Sequence, residues 1–388
     1  MQVYFDNSAT TRCIPAVREA MDKIYDEEYG NPSSLHMMGV NAEKQVKGAR
    51  EVLAKILKVN EKEIVFTSGG TESNNMAVMG CAMANKRAGN HIITSSIEHA
   101  AILEPMKFLE EMGFRVTYLP VDEQGVVDLE ALREAVCEET ILVSVMSVNN
   151  EIGTIQPMEE IAKIVKEKNP KTYFHVDAIQ GFGKLSIYPK RMGIDMLSVS
   201  AHKINGPKGV GFLYINEKVK IKPIILGGGQ QKGMRSGTDN VPGVVGLSKA
   251  AELAYEDFSD KQKYLYELRE RMLRGLLEFD GVTINGVKEN GEGSKAAPHI
   301  ISVSFANVRS EVLLHALEDK GIYVSAGSAC SSNKPSLSKT LLSTKTPKEV
   351  IESTVRISFA VSNTFEEVDY CLLVLKDLIP MLRKYVRK

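Results

Sequence analysis

The sequence predicts an α/β protein: a largely parallel sheet flanked by helices, followed by a smaller α+β unit. Two observations carry this. In the first two-thirds of the chain, short β-branched runs alternate with helical stretches; the last third breaks that alternation. The expected strands of the first part are Ile64–Thr67, Ile92–Thr94, Arg115–Leu119, Ile141–Val148, Tyr173–Asp177, Met196–Ser200 and Val210–Ile215. Between them, Val40–Leu57 gathers Val46, Ala49, Val52, Leu53, Ile56 and Leu57 on one helical stripe. Asp128 caps a helix over Leu129–Val136, and Pro157 opens another over Met158–Lys168 at a first-turn position. A long amphipathic helix, Lys261–Leu277, begins the second part. Strand Ile300–Phe305, helix Glu311–Lys320, strands Ile322–Ser325 and Val355–Phe359, and a final helix follow. Thr364 and Glu367 have the spacing of a capping box for that last helix. The boundary is expected near Ala254–Phe258, giving a large domain over 15–257 and a small one from 1–14 and 258–388. Ser331–Thr346 is rich in Ser, Thr, Lys and Pro, with few apolar positions beyond Leu337, Leu341 and Leu342, and reads as a long mobile loop.

Composition narrows the function classes. The 388 residues carry 48 Lys+Arg against 49 Asp+Glu, a net charge of −1. That balance gives no basic footprint for nucleic acid and no acidic tail. No run reaches the roughly 18 apolar residues of a membrane span. Met1 leads directly to Val3-Tyr4-Phe5 and Asp6-Asn7, so no signal peptide is expected and the cytoplasm is the default location. The five cysteines are scattered and none forms a C-x-x-C pair, which disfavours a disulfide framework or a zinc site.

In parallel sheets, ligands bind beyond the carboxyl ends of the strands. Polar residues cluster there in this chain. Ile64–Thr67 is followed by Ser68-Gly69-Gly70-Thr71-Glu72-Ser73-Asn74-Asn75, a turn into a helix whose free N–H groups suit a phosphate. It is not a Walker loop, and no G-x-G-x-x-G follows a strand, so a nucleotide-binding module is disfavoured. His99 follows the second strand, Asn149-Asn150-Glu151 the fourth, Asp177 and Gln180 the fifth, and Ser200-Ala201-His202-Lys203 the sixth. Each is ordinary alone; together they would converge on one sheet edge. A lysine amine for a Schiff base, a buried carboxylate for a pyridine nitrogen and a phosphate cradle are the parts of a pyridoxal 5′-phosphate site. Lys203 is the natural Schiff-base lysine, with Lys208 as competitor.

The motifs Tyr4-Phe5-Asp6-Asn7-Ser8-Ala9-Thr10-Thr11, Thr71-Glu72-Ser73-Asn74-Asn75, Glu98-His99, Asn149-Asn150-Glu151-Ile152-Gly153, His175-Val176-Asp177-Ala178-Ile179-Gln180, Ser200-Ala201-His202-Lys203, Arg235-Ser236-Gly237-Thr238 and Gly327-Ser328-Ala329-Cys330 resemble the cysteine desulfurases of the NifS/IscS type, in the class V aminotransferase group. The similarity runs from Val3 to the final helix. It implies the PLP-dependent transferase fold type I, with a mainly parallel seven-stranded sheet. It also implies roles. Lys203 would hold the cofactor and move protons at Cα, and Asp177 would partner the pyridinium nitrogen. Gln180 would bond the phenolic oxygen, and His99 would stack on the ring and shuttle protons. Gly70, Thr71, Ser200 and His202 would cradle the phosphate. Thr238 would reach the phosphate of the other subunit, implying a homodimer. Asn150 and Arg356 would bind the substrate carboxylate, although Arg356 by itself reads as a strand arginine on a solvated face. Cys330, on a loop of about 325–346, would be the catalytic thiol; Gly327, Ser328, Ser331, Ser332 and Lys334 give it a polar setting.

The implied reaction takes sulfur from L-cysteine, leaves L-alanine and a persulfide on Cys330, and passes the sulfur to an acceptor protein for iron–sulfur clusters, thio-cofactors or tRNA thiolation. Some positions depart from the family pattern: Gln230-Gln231-Lys232-Gly233-Met234, and Asn205 where an aromatic residue or His is common. The competing readings are a selenocysteine lyase, another class V aminotransferase-like enzyme, or a non-catalytic scaffold. Cys330 argues against a plain aminotransferase, which needs no thiol. A scaffold has no reason to keep Lys203, Asp177, His99, Cys330 and Arg356 together.

Overall fold

The computed structural model describes residues 1–326 and 337–384; Cys330 and Lys334 lie outside the described residues. The strands in chain order are β1 (Val3–Tyr4), β2 (Ile64–Thr67), β3 (His91–Ser95), β4 (Arg115–Leu119), β5 (Thr140–Met146), β6 (Tyr173–Asp177), β7 (Met196–Ser200), β8 (Gly211–Ile215), β9 (Val282–Asn285), β10 (Ile300–Phe305), β11 (Ile322–Tyr323), β12 (Ser325–Ala326) and β13 (Thr354–Ser358). Seven of them form one sheet in the order β2-β8-β7-β6-β5-β3-β4. The strands from β4 to β7 pair in parallel; β8 runs antiparallel to both neighbours. The inner strands are buried along their whole length, as expected when helices cover both faces, which explains their unbroken apolar runs. β4 lies at the edge, and its exposed Arg115 and Tyr118 protect that edge from further pairing.

The last third forms a four-stranded antiparallel sheet in the order β12-β13-β10-β9. Helices Phe258–Leu277 and Phe365–Arg383 pack against it, and Leu268, Met272, Ile301, Val303 and Leu375 share a core separate from that of the large sheet. The capping box predicted at Thr364 and Glu367 is present. The chain start belongs to this second core: Val3 and Phe5 are buried in it, with the Phe5 ring 5.2 Å from Phe359.

Two elements differ from the sequence reading. The strand expected over Ile322–Ser325 is two short strands, because β11 pairs with β1 while β12 pairs with β13; the change of partner breaks the run at Val324. The mobile loop expected over Ser331–Thr346 is corrected for its described part. Lys339–Ser343 is a helix capped by Ser338, whose hydroxyl accepts the Leu341 N–H, and Leu341 packs with Ile152 and Ile351. One apolar residue suffices there because the helix is only a turn long and also bonds Glu151. Asn205 adopts a left-handed backbone (φ 63°), tolerable for Asn, and its side chain donates to the Arg12 carbonyl. Among the described residues no helix is long and apolar enough to cross a membrane.

Candidate active site

The carboxyl ends of β3, β5, β6 and β7 face the small sheet, and a cavity of about 280 Å³ lies between them. Gly70, Thr71, His99, Asn150, Asp177, Gln180, Ser200, His202, Lys203 and Arg356 all line it, as do Ser8 and Ala9 of the N-terminal arm. A larger open groove of about 770 Å³ along helix Phe258–Leu277 contains none of the predicted site residues, so size alone does not locate the chemistry. Lys208 is exposed and does not line the cavity.

Asp177 ends β6 and is 4% exposed. Its Oδ2 accepts from Asn74 Nδ2 at 2.7 Å and its Oδ1 accepts the Ile179 N–H at 3.0 Å. Burial raises its pKa; these two hydrogen bonds and the neighbouring His99 and Lys203 pull the other way. The site therefore favours a cationic partner for this carboxylate. His99 sits between β3 and helix Ala100–Glu111 and caps that helix: its Nδ1 accepts the Ala101 N–H at 3.1 Å. The neutral ring must then carry its proton on Nε2. Burial pushes the ring below its ordinary pKa, Asp177 opposes this, and Lys203 adds to it.

Lys203 ends the short helical turn Ala201–Lys203 that follows β7, and its Nζ donates to the carbonyls of Ser8 (2.5 Å) and Ala9 (2.7 Å). His202 Nδ1 lies 3.2 Å from Thr10 Oγ1; burial, then Lys203 and Lys208, push its pKa down to about 4, so it is neutral near pH 7. Gly70 opens helix Gly70–Asn75. A Cβ there would come 2.2 Å from Ile179 Cδ1, so any larger residue would force the Ile179 side chain out of its place. Gln180 Nε2 donates to the Ser8 carbonyl at 3.0 Å.

Arg356 on β13 is 6% exposed, which corrects its reading as a solvated strand arginine. Its Nη1 donates to the Asn150 carbonyl and its Nη2 to Asp6 Oδ1, each at 2.8 Å, while the buried Nε has no partner among the described residues. Asn150 thus meets the arginine through its backbone. Thr238 is exposed and lies outside this chain's cavity. Its segment is tied down by Arg235, which donates to both carboxylate oxygens of Glu72 at 2.8 and 3.2 Å. Burial pushes the Cys81 and Cys371 thiols up to about 12, so both are core residues.

Sequence reasoning missed four residues. Asn74 holds Asp177, Asp6 holds Arg356, and His299 reaches Gln180. Glu98 is fully buried, accepting from Ser95 Oγ at 2.5 Å and from the Met146 N–H at 3.0 Å. Asn74, Asp6 and Glu98 stand inside the quoted motifs, which was the available signal; His299 gave none.

The donor set fits pyridoxal phosphate and an amino-acid substrate: a lysine amine, a buried carboxylate, a glycine-opened helix start, and an arginine whose buried Nε–H has no partner among the described residues. A family model for class-V aminotransferases matches residues 3–371. A Clostridium botulinum relative described as cysteine desulfurase IscS is 48% identical over 384 residues, spanning 99% of this chain and 96% of its own. A solved structure described as a NifS-like protein is 44% identical, with a TM-score of 0.92 over 98% of this chain and 100% of that one. A structure of SspA in complex with cysteine is 34% identical, with a TM-score of 0.80 over 94% of this chain and 100% of that one.

Proposed function

Because the chain belongs to the class-V aminotransferase family, among cysteine desulfurases of the NifS/IscS type, we propose how its cavity draws sulfur from L-cysteine. It is a pyridoxal 5′-phosphate-dependent cysteine desulfurase with fold type I. The cofactor, when bound, supplies an aldehyde for the substrate amine and a ring that accepts the Cα electron pair. One observation carries the assignment of roles: an amine, a buried carboxylate, a neutral imidazole and a carboxylate-binding guanidinium all line one cavity.

Arg356, held by Asp6 and the Asn150 carbonyl, grips the substrate carboxylate through its remaining N–H groups. Lys203 takes the Cα proton. Asp177 would keep the pyridine nitrogen protonated. His99 would stack on the ring and pass protons through Nε2. Gln180 would face the ring oxygen, and Gly70, Thr71, Ser200 and His202 would hold the phosphate. The Cys330 thiolate then attacks the substrate sulfur. An S–S bond forms as the C–S bond breaks, and the departing electron pair takes up a proton at Cβ, so the products are L-alanine and a persulfide on Cys330. The described chain on both sides of Cys330 supports its reach: Ser325 pairs with Arg356 in the sheet, and Ser338 bonds Glu151 beside Asn150. An acceptor protein serving iron–sulfur cluster, thio-cofactor or tRNA thiolation synthesis takes the sulfur onward, in the cytoplasm.

The enzyme acts as a homodimer, with Thr238 contacting the phosphate in the partner's site. Exposed Tyr29, Leu35, Met37 and Leu226 support this. The two separate cores support a large domain over 15–257 and a small one from 1–14 and 258–388.

The test is purified protein with L-cysteine and a reductant, wild type against Cys330→Ala. Equimolar sulfide and alanine are expected from wild type, and loss of both in the variant while its yellow colour remains. Undiminished turnover by the variant would remove Cys330 from the reaction.

A further inference from the structure

We infer that His299 is a positioning residue that holds the Gln180 side-chain amide in the one orientation presenting an N–H to the cavity. This rests on the reading of Gln180 as the residue facing the cofactor's ring oxygen.

His299 immediately precedes β10 and is anchored in the small sheet, where its carbonyl accepts the Phe359 N–H at 2.9 Å. Its ring, 2% exposed, crosses to the loop after β6 and places Nε2 3.4 Å from Gln180 Oε1. The orientation of both groups follows from the acceptor at the other end. Gln180 bonds the Ser8 carbonyl, which can only accept, so the amide nitrogen must lie there. Oε1 then faces His299, and His299 Nε2 must donate. A neutral imidazole has one N–H, so its Nδ1 carries only a lone pair. That matches the buried Nδ1, which has no partner among the described residues. An orphaned N–H at this depth would be the costlier arrangement.

The second amide hydrogen of Gln180 is used by neither Ser8 nor His299, and Gln180 lines the cavity. Turned over, the amide would aim a carbonyl at an electron-rich oxygen. The bond from His299 to Oε1 also polarises the amide toward donation. Burial and the charges of Lys184, Arg356 and Lys203 keep the His299 ring neutral, so the donating tautomer holds. His299 leads directly into β10 and Arg356 stands on its partner β13, with Ser302 opposite Arg356, so the carboxylate grip and the amide orientation share one support.

The test is a pH titration of the visible band of the bound cofactor in purified holoenzyme. A donor to the ring oxygen favours the deprotonated chromophore, so losing it raises the midpoint. His299→Phe, which keeps a ring but no donor, should raise the midpoint by at least about half a pH unit. His299→Gln, which returns an N–H, should bring it back toward wild type. Gln180→Ala should raise it as much or more, and the double variant no further than Gln180→Ala alone. If Gln180→Ala moves the midpoint and His299→Phe does not, the inference falls and the reading of Gln180 stands. If neither moves it, that reading falls and the inference with it. Should His299→Phe fail to fold by circular dichroism, His299→Asn decides: its shorter amide cannot reach Oε1, so it must raise the midpoint, and an unmoved value overturns the inference.

Discussion

Replacing Arg356 with lysine keeps a positive charge on β13 and removes only the fork. The guanidinium has five N–H groups; one goes to the Asn150 carbonyl and one to Asp6, each at 2.8 Å, and the buried Nε has no partner among the described residues. An ammonium offers three donors from a single point and cannot hold Asn150, Asp6 and a substrate carboxylate at once. The loss is one charge-assisted hydrogen bond, about 1.5–3 kcal/mol. That corresponds to about 10- to 150-fold in kcat/KM. The carboxylate does not react, so its binding is equal in ground and transition states and the loss should fall on KM with kcat nearly kept. Initial rates of sulfide and alanine release against L-cysteine concentration read this directly. Cysteamine, which lacks the carboxylate, serves as the internal control, because wild type and Arg356→Lys should process it equally. A KM within about threefold of wild type would refute the assignment, the smallest expected loss being about tenfold.

Glu98 gives a pH-dependent stability. Burial pushes its carboxyl up to about 8, so from pH 4.5 to 8 the folded protein keeps a proton that the unfolded chain has released. Stability therefore falls as pH rises through that window, by at most about 1.4 kcal/mol per unit. Glu98→Gln should remove this contribution, so its melting temperature should gain on wild type between pH 6 and 8.5; parallel profiles would show that the carboxyl is ionised in the fold. Leu341 is 1% exposed within the small cluster that includes Ile152 and Ile351. Leu341→Ala should cost about 2–3 kcal/mol, at the low end for a buried leucine because few groups surround it. An unchanged melting temperature would mean that the helix Lys339–Ser343 is not docked.

Most of the large sheet was legible because its strands are buried on both faces and so read as unbroken apolar runs between helical stretches. The same logic exposed the site: in such a sheet the residue ending a strand is a residue at the ligand edge. Asp177 at the end of β6 and Lys203 after β7 could therefore be placed together from the sequence, as could His99 after β3. Local chemistry was also readable, as at the Asp128 and Thr364 caps. Tertiary structure alone decided what depends on partners distant in the chain. β1 finds β11, Asp6 finds Arg356 across 350 positions, and Gln180 finds His299 across 119. No periodicity encodes such pairings, because each side chain's local pattern is satisfied by many partners. Arg356 has the pattern of a solvated strand residue, and Ser331–Thr346, whose described part begins at Leu337, has the composition of a loop. The arginine and that described part are buried or ordered only because another part of the chain arrives to cover them, and that arrival is a property of the packed molecule.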